Sequence, residues 1–264
     1  MALELGLTGK VALITGGSEG LGRAMAQRLS AEGARVAICA RREVVLRRAA
    51  AEIEAATGTP VLAMPLDITA PEAAARFVEA AVERFGRLDI LINNAGTSAG
   101  GRFDAQDDAY WEGDFALKVF AAARCIRLAV PHMRRQGGGR ILNIVNTAAK
   151  APRPESLPTA ASRAAGLALT KALAHEYARD RILVNAICIG VVKSMQWERQ
   201  RLAQSPPPPP EEFYAQMAAR AGIPLGRVGE AEELADLTAF LVSERAAYIT
   251  GVAINFDGGR CPVV

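Results

Sequence analysis

Short apolar runs alternate with longer amphipathic stretches along most of the chain. Runs rich in β-branched and aliphatic residues predict strands at 10–15, 35–40, 61–66, 88–93, 140–145, 181–189 and 252–256. Stretches with helical period predict helices at 20–32 and 43–57, from Pro71 onward, and at 121–136, 157–179 and 230–243. Apolar strands that alternate with helices are typical of a parallel sheet covered on both faces. The pattern therefore predicts one doubly wound α/β domain over residues 1–264, with no internal repeat or domain linker.

The connection from about 193 to 226 follows the predicted strand at 181–189, at the edge of the sheet where ligands bind in such folds. It contains "SPPPPPEE" at 205–212, which predicts extended polyproline II and is either a stiff surface spacer or one arm of a lid. Trp197, Phe213 and Tyr214 favour an apolar or aromatic ligand, although core packing explains them equally well. We predict a substrate or lid loop here.

Composition narrows the function classes. Half of the residues are apolar, so the chain can bury a large core, and a net charge of +3 is too small and dispersed to indicate binding to nucleic acid or to a membrane. The N-terminus lacks a signal-peptide pattern, and no apolar run reaches the ~20 residues of a membrane span, so we expect a cytoplasmic protein. The cysteines and histidines are too scattered for a metal site, and we expect reduced thiols: Cys39, Cys125, Cys188, Cys261, His132 and His175.

The turn "TGGSEGLG" at 15–22 joins the first predicted strand to the first helix. Glycines there permit a tight turn and let backbone N–H groups approach a pyrophosphate at the positive end of the helix. In dinucleotide-binding folds an acid about 20 residues further on holds the ribose hydroxyls. This chain has Arg41 and Arg42 at that point, which favours a 2′-phosphate and hence NADP(H), with NAD(H) possible.

Two features weaken the argument for NADP(H). Arg41 and Arg42, together with Arg47 and Arg48, also fit a solvated basic face of the second helix. Glu19 lies inside the glycine turn, where its carboxylate would repel a phosphate.

Several longer segments make the chain resemble the short-chain dehydrogenase/reductase family nearly end to end. They are "TGGSEGLG", "LDILINNAG" (88–96), "GGRILNI" (138–144), "LTKALAHEYA" (169–178), "RILVNAICIGVVKS" (181–194), "LGRVGEAEELADLTAFLVSE" (225–244) and "YITGVAINFDGG" (248–259). The resemblance implies a single-domain Rossmann fold, with a seven-stranded parallel sheet in the order 3-2-1-4-5-6-7 and helices on both faces. It also implies a homodimer or homotetramer that acts on a small molecule.

The same resemblance assigns cofactor-binding roles by position. The positions are Gly16, Ser18, Gly20, Leu21 and Gly22 at the pyrophosphate, Asp67 at the adenine with Ile68 beside it, Asn93, Ala95 and Gly96 at the adenosine ribose, and Gly190 and Ser194 near the nicotinamide. One departure is Ile189, which stands before Gly190 where the family has proline.

The catalytic positions depart further from the family. Its members use an Asn, a Ser and a Tyr-x-x-x-Lys pair, and alignment on "LTKALAHEYA" places Lys118, Asn146, Thr159 and Arg163 at these four positions. No tyrosine lies between Tyr110 and Tyr177 to take over the role of the phenol. The resemblance therefore implies a degenerate catalytic tetrad.

These substitutions change the available chemistry. Thr159 and Arg163 lie four residues apart on a predicted helix, so their side chains should share one face and point into the same space. A phenol can be made acidic enough to transfer a proton near neutral pH, whereas an aliphatic hydroxyl cannot and arginine stays protonated. Loss of a positioned acid commonly lowers rates by ~10²–10⁴.

Lys118 is our preferred substitute proton donor. Burial and the Arg163 cation would both lower its pKa, although it could instead reach for solvent or a backbone carbonyl. Lys150 and Tyr214 are weaker candidates. Arg163 and Asn146 could hold an oxyanion or a substrate carboxylate.

Three functions remain open. The leading hypothesis is an NAD(P)(H)-dependent oxidoreductase with unusual or weak activity, reducing a carbonyl or an alkene of an apolar small molecule. The alternatives are a catalytically silent NADP(H)-binding subunit or redox sensor, and an isomerase or lyase without net redox chemistry.

Overall fold

The computed structural model describes residues 4–264 and contains a seven-stranded sheet whose neighbouring strands all pair in parallel. The strands are β1 (Val11–Thr15), β2 (Arg35–Ala40), β3 (Val61–Pro65), β4 (Ile90–Asn93), β5 (Gly139–Asn146), β6 (Ile182–Ile189) and β7 (Ala253–Phe256). Their order, β3-β2-β1-β4-β5-β6-β7, confirms the predicted Rossmann topology.

Helices cover both faces of the sheet. They are α1 (Gly20–Ala31), α2 (Glu43–Thr57), α3 (Ala73–Phe85), α4 (Asp108–Phe115), α5 (Ala121–Arg135), α6 (Thr159–Glu176), α7 (Met195–Leu202), α8 (Pro210–Ala221) and α9 (Ala231–Leu241). Among residues 4–264, no helix combines the length and apolar character that a membrane crossing requires.

Two separate apolar cores follow from the alternation of side chains along each strand. In β1, Leu13 packs with Phe77 and Met133 on the face covered by α3 and α5. Its neighbour Ile14 points the other way and packs with Met25 on the face covered by α1, α2 and α9. Because both faces of the sheet are buried, the strands read as continuous apolar runs rather than as an alternating pattern.

The connection after β6 differs from the expected polyproline arm. It folds into α7 and α8, and Pro210 is the first residue of α8, so only the preceding prolines are available for an extended segment. Proline is tolerated in the first turn of a helix, and the acidic Glu211 and Glu212 that follow it suit the positive helix end. We call residues 193–226 the lid segment.

A buried polar chain ties α6 to the sheet. Asn93 on β4 donates to Asn143 on β5 at 2.9 Å, and Asn143 donates to the hydroxyl of Thr170 on α6 at 2.9 Å. Thr170 in turn donates to the carbonyl of Gly166 at 2.8 Å. Buried amides need such partners, so this chain fixes the position of the helix that begins at Thr159.

We expect Asn143→Ala to lower the free energy of unfolding by about 2–5 kcal/mol, because it opens a cavity, leaves the buried Asn93 amide without an acceptor and removes the donor to the Thr170 hydroxyl. Thr170→Val keeps the side-chain shape and should cost about 1–3 kcal/mol. Urea unfolding at a fixed protein concentration measures both. A change below about 0.5 kcal/mol, as for an ordinary surface substitution, would contradict the role of this chain.

Candidate functional site

A cleft of about 1060 Å³ lies at the carboxyl ends of the central strands. It is bounded by the glycine turn, the ends of β2 and β5, the loops after β3, β4 and β6, the start of α6, and α7. Most residues predicted to bind the cofactor line it: Gly16, Ser18, Gly20, Leu21, Gly22, Arg41, Arg42, Asp67, Ile68, Ala95, Gly96, Gly190 and Ser194.

The glycine turn fits a dinucleotide pyrophosphate. Gly16 and Gly20 have φ of +73° and +53°, a region that disfavours other residues, and a Cβ on Gly22 would clash with the carbonyl oxygen of Gly16. No side chain caps the first turn of α1, so backbone N–H groups at its positive end remain for an anion.

Asn93 does not line this cleft, in contrast to its predicted place at the adenosine ribose. Its side chain is buried against Asn143, behind the strand ends. The next residue, Asn94, lines the cleft, and its amide donates to the carbonyl oxygens of Thr15 at 2.9 Å and Gly16 at 3.1 Å. Asn94 thus braces the glycine turn, a role that the sequence did not reveal because it depends on contact between separate segments.

The four arginines near the end of β2 fall into two pairs. Arg41 and Arg42 line the cleft. Arg47 and Arg48 form ion pairs with acids four residues away along the exposed face of α2. The solvated basic face of α2 that the sequence left as an alternative therefore consists of Arg47 and Arg48, without Arg41 and Arg42.

Glu19 also lines the cleft, and two arginines already compensate its negative charge. Its Oε2 accepts hydrogen bonds from Arg42 and, at 2.5 Å, from Arg199 on α7. From the sequence, the Glu19 carboxylate was expected to repel a phosphate. The contact with Arg199 was not foreseen, because Arg199 is distant along the chain.

At the other end of the cleft, Lys118 is buried, with no exposed side-chain surface. It lies in a π-helical turn, Ala116–Phe120, between α4 and α5. Its Nζ donates to the carboxylate of Asp114 and, at 2.7 Å, to Oγ1 of Thr159. The second carboxylate oxygen of Asp114 accepts from the hydroxyl of Ser162 at 2.6 Å. Burial and the nearby Arg163 cation lower the pKa of Lys118 to about 8, against the opposing effect of Asp114.

Asp114 and Ser162 were missed at the sequence level. The spacing of four between Asp114 and Lys118 was a usable signal for the ion pair. The contact with Ser162, which lies on α6, depends on tertiary packing.

Thr159 stands between Lys118 and the cleft. Its Oγ1 accepts from Lys118 and, at 2.9 Å, from the backbone N–H of Ala99. A hydroxyl has two acceptor positions and one hydrogen, so both acceptor positions are filled and the hydrogen is left to donate. Because Thr159 lines the cleft, that hydrogen is available to a ligand there.

Arg163 and Asn146 line the same part of the cleft as Thr159. This confirms that Thr159 and Arg163 share one helix face. Nη1 of Arg163 donates to the carbonyl of Ile144 at 2.7 Å, and burial lowers the pKa of Arg163 to about 10, so it remains a cation at neutral pH. Oδ1 of Asn146 is buried without a hydrogen-bond partner among residues 4–264.

The two weaker proton-donor candidates are placed elsewhere. Nζ of Lys150 donates to the carbonyl of Ala253 on β7 at 2.7 Å. Tyr214 packs in the apolar cluster of the lid segment, and its hydroxyl donates to Glu198 at 3.4 Å. Neither residue lines the cleft. The structure therefore does not bring either side chain to the reacting groups: Lys150 pairs with a segment distant along the chain, and Tyr214 packs within the lid segment.

The chain is similar to known proteins over nearly its whole length. Residues 16–260 match the family model described as enoyl-(acyl carrier protein) reductase. The granaticin polyketide synthase putative ketoacyl reductase 1 of Streptomyces violaceoruber is 37% identical over 257 residues, covering 94% of this chain and 92% of that protein.

Two solved structures are similar over nearly the whole chain. L-sorbose reductase from Gluconobacter frateurii, complexed with NADPH and L-sorbose, is 34% identical with a TM-score of 0.94, covering 99% of this chain and 100% of that one. An NADPH-bound short-chain oxidoreductase from Pseudomonas aeruginosa, described as containing an atypical catalytic center, is 33% identical with a TM-score of 0.91, covering 97% and 98%. This chain therefore belongs to the short-chain dehydrogenase/reductase family, whose members similar to it are oxidoreductases.

Proposed function

We propose that this protein is an NADP(H)-dependent reductase in which Lys118 delivers a proton through Thr159 to an oxygen atom of the substrate. Relatives described as reductases and as a short-chain oxidoreductase, two of them with bound NADPH, support the class of reaction. The observation that carries the proposed relay is the hydroxyl of Thr159, which accepts from Lys118 and keeps its own hydrogen for the cleft.

In this proposal NADPH, when bound, would supply a hydride to a carbon atom of the substrate. Negative charge then develops on the substrate oxygen, to which Thr159 donates its hydroxyl proton. Lys118 replaces that proton on Oγ1 of Thr159 over the 2.7 Å hydrogen bond and becomes a neutral amine. The relay moves one proton, and the threonine is unchanged at its end. A buried ammonium with a pKa near 8 is a far stronger acid than an aliphatic alcohol in water, so it is the effective proton source.

Arg163 and Asn146 complete the proposed site as positioning groups. The Ile144 carbonyl holds Nη1 of Arg163, and Nη2 of Arg163 lies against the backbone of Gly96. The guanidinium thus places positive charge beside the reacting oxygen. The side-chain amide of Asn146 offers a donor to the same oxygen.

The proposed substrate is a small carbonyl compound, or a conjugated alkene, with an apolar body. Leu117, Val192, Met195 and Trp197 line the cleft on the side of the reacting groups and the lid. A turnover panel should include a 3-oxoacyl thioester, L-sorbose and a cyclic enone, following the relatives and the shape of the site. Binding of NADPH without its oxidation by any compound in a broad ketone and enone panel would favour a silent subunit instead.

Removing the hydroxyl of Thr159 should stop proton delivery. We expect Thr159→Val to lower kcat by about 10²–10⁴, while Thr159→Ser, which keeps the hydroxyl, stays within about tenfold of wild type. The double variant Lys118→Met with Asp114→Asn removes the proton source without leaving a buried unpaired charge, and should lower kcat as much as Thr159→Val. Single-turnover oxidation of NADPH measures the rates, and calorimetry should show NADPH affinity within a few-fold. If Thr159→Val keeps the wild-type rate, the relay is wrong.

The rate of reduction should depend on the charge of Lys118. The ammonium form predominates below its pKa of about 8, so kcat should be constant near pH 6–7 and fall about tenfold per unit well above pH 8. The opposite reaction needs the neutral amine and should speed up over the same range. The rate of the double variant should not show this fall above pH 8. If the double variant still slows above pH 8, another group is responsible for the pH dependence.

The proposed preference for NADP(H) depends on Arg41 at the cleft edge. We expect Arg41→Glu to weaken NADPH binding by about tenfold or more and NADH binding much less, because the guanidinium pairs with the 2′-phosphate. Arg47→Glu makes the same charge change on the outer face of α2 and is the matched control. Calorimetric titration with both cofactors measures the effect. Equal weakening of both cofactors by Arg41→Glu would reject the phosphate contact.

A further inference from the structure

One carboxylate oxygen joins the glycine turn, the end of β2 and the lid segment. Oε2 of Glu19 accepts from Arg42, which follows β2, and from Arg199 on α7. All three residues line the cleft. The two guanidinium groups reach the same atom, so they lie close enough to bind a single small anion together.

This cluster is short of negative charge. Two guanidinium groups share one carboxylate, which leaves a net charge of about +1, and among residues 4–264 their hydrogen bonds involve only Glu19. Each guanidinium has five N–H donors, so most remain for another acceptor. A phosphate monoester carries about −1.5 to −2 charges and three acceptor oxygens, which match two guanidinium groups better than one carboxylate does.

The exposure of the three side chains allows the exchange. About half of the side-chain surface of Arg42 and Arg199 is exposed, at 53% each, and Glu19 retains 25%. Exposed ion pairs contribute little to stability, typically about 0–1 kcal/mol, so a phosphate can replace the carboxylate at small cost. The position also suits a ribose phosphate, because Arg42 lies next to the end of β2, where this fold holds the ribose 2′ position.

We propose that Arg199 of the lid segment and Arg42 together hold the 2′-phosphate of NADP(H), and that Glu19 competes with that phosphate for both guanidinium groups. This inference rests on the proposed NADP(H) dependence. Arg199 is then a determinant of cofactor specificity that comes from the lid rather than from the nucleotide-binding turn. In this proposal cofactor binding also holds α7 against the cleft, because Arg199 lies on that helix.

The test measures NADPH and NADH affinities by calorimetry in two variants that should change NADPH affinity in opposite directions. Arg199→Gln should weaken NADPH binding by about tenfold or more and leave NADH binding within about threefold, because NADH lacks the 2′-phosphate. Glu19→Gln removes the competing carboxylate and should tighten NADPH binding by about threefold or more, with little change for NADH. Arg220→Gln removes a positive charge from α8, outside the cleft, and is the matched control.

Each outcome has a distinct meaning. If wild-type protein binds neither cofactor, the proposed function fails. If it binds NADPH but Arg199→Gln leaves NADPH affinity unchanged, or weakens NADPH and NADH equally, only this inference is overturned, and equal weakening points to the pyrophosphate shared by both cofactors. If Arg220→Gln weakens NADPH as much as Arg199→Gln does, the effect comes from net charge and the inference is also overturned.

Fluorescence of Trp197 supplies a readout of the lid itself. The chain has two tryptophans, so a Trp111→Phe background isolates Trp197, which lies on α7 two residues before Arg199. Saturating NADPH should change the Trp197 emission more than saturating NADH, and Arg199→Gln should remove the difference. Identical responses to the two cofactors in the parent background would contradict a lid contact with the 2′-phosphate.

Discussion

The buried ammonium of Lys118 is the constraint on which the rest of the site depends. With no exposed side-chain surface, this cation cannot be solvated by water and must be compensated by protein groups. Asp114 supplies the charge and Thr159 supplies a second acceptor, while Ser162 holds the other oxygen of Asp114. The π-helical turn and the start of α6 are therefore fixed relative to each other by one charge. Removing Asp114 or Lys118 alone leaves a buried charge unpaired, so these two residues must be changed together.

The positive charge of Arg163 lowers the pKa of any acidic group near it, whatever the chemical nature of that group. A cation favours loss of a proton from its neighbours, whether the acid is a neutral phenol or an ammonium. The family resemblance implies a lysine at this position that acidifies a tyrosine, and here burial together with Arg163 lowers the pKa of Lys118. In our proposal the proton source has moved from the first turn of α6 to the neighbouring π-helical turn, and Thr159 bridges the gap between that source and the cleft. The short threonine side chain leaves room for this second group behind it.

Much of the fold was predictable because it depends on local pattern. The apolar strand runs, the helical stretches and the glycine turn each carry their signal within about 20 residues, and the sheet order followed from the family resemblance. The lid helices were missed because α8 begins within a proline-rich stretch that reads as extended chain, and α7 ends just before it. The partners of Lys150, Asn93 and Glu19 were missed for another reason. Each partner lies on a segment distant along the chain, and local spacing carries no information about such contacts.

A carboxylate lies near two cations at one end of the cleft and another such group lies behind its other end, and burial decides what each arrangement can do. Asp114 lies near Lys118 and Arg163 away from solvent, where loss of the carboxylate would leave uncompensated charge at a cost of about 3–5 kcal/mol. That carboxylate is therefore a permanent part of the site and keeps the lysine charged at neutral pH. Glu19 lies between Arg42 and Arg199 at the solvent edge, where the same kind of pair is worth about 0–1 kcal/mol. A stronger anion can displace it there, so in our proposals the same charge pattern serves proton transfer at the buried end and cofactor recognition at the exposed end.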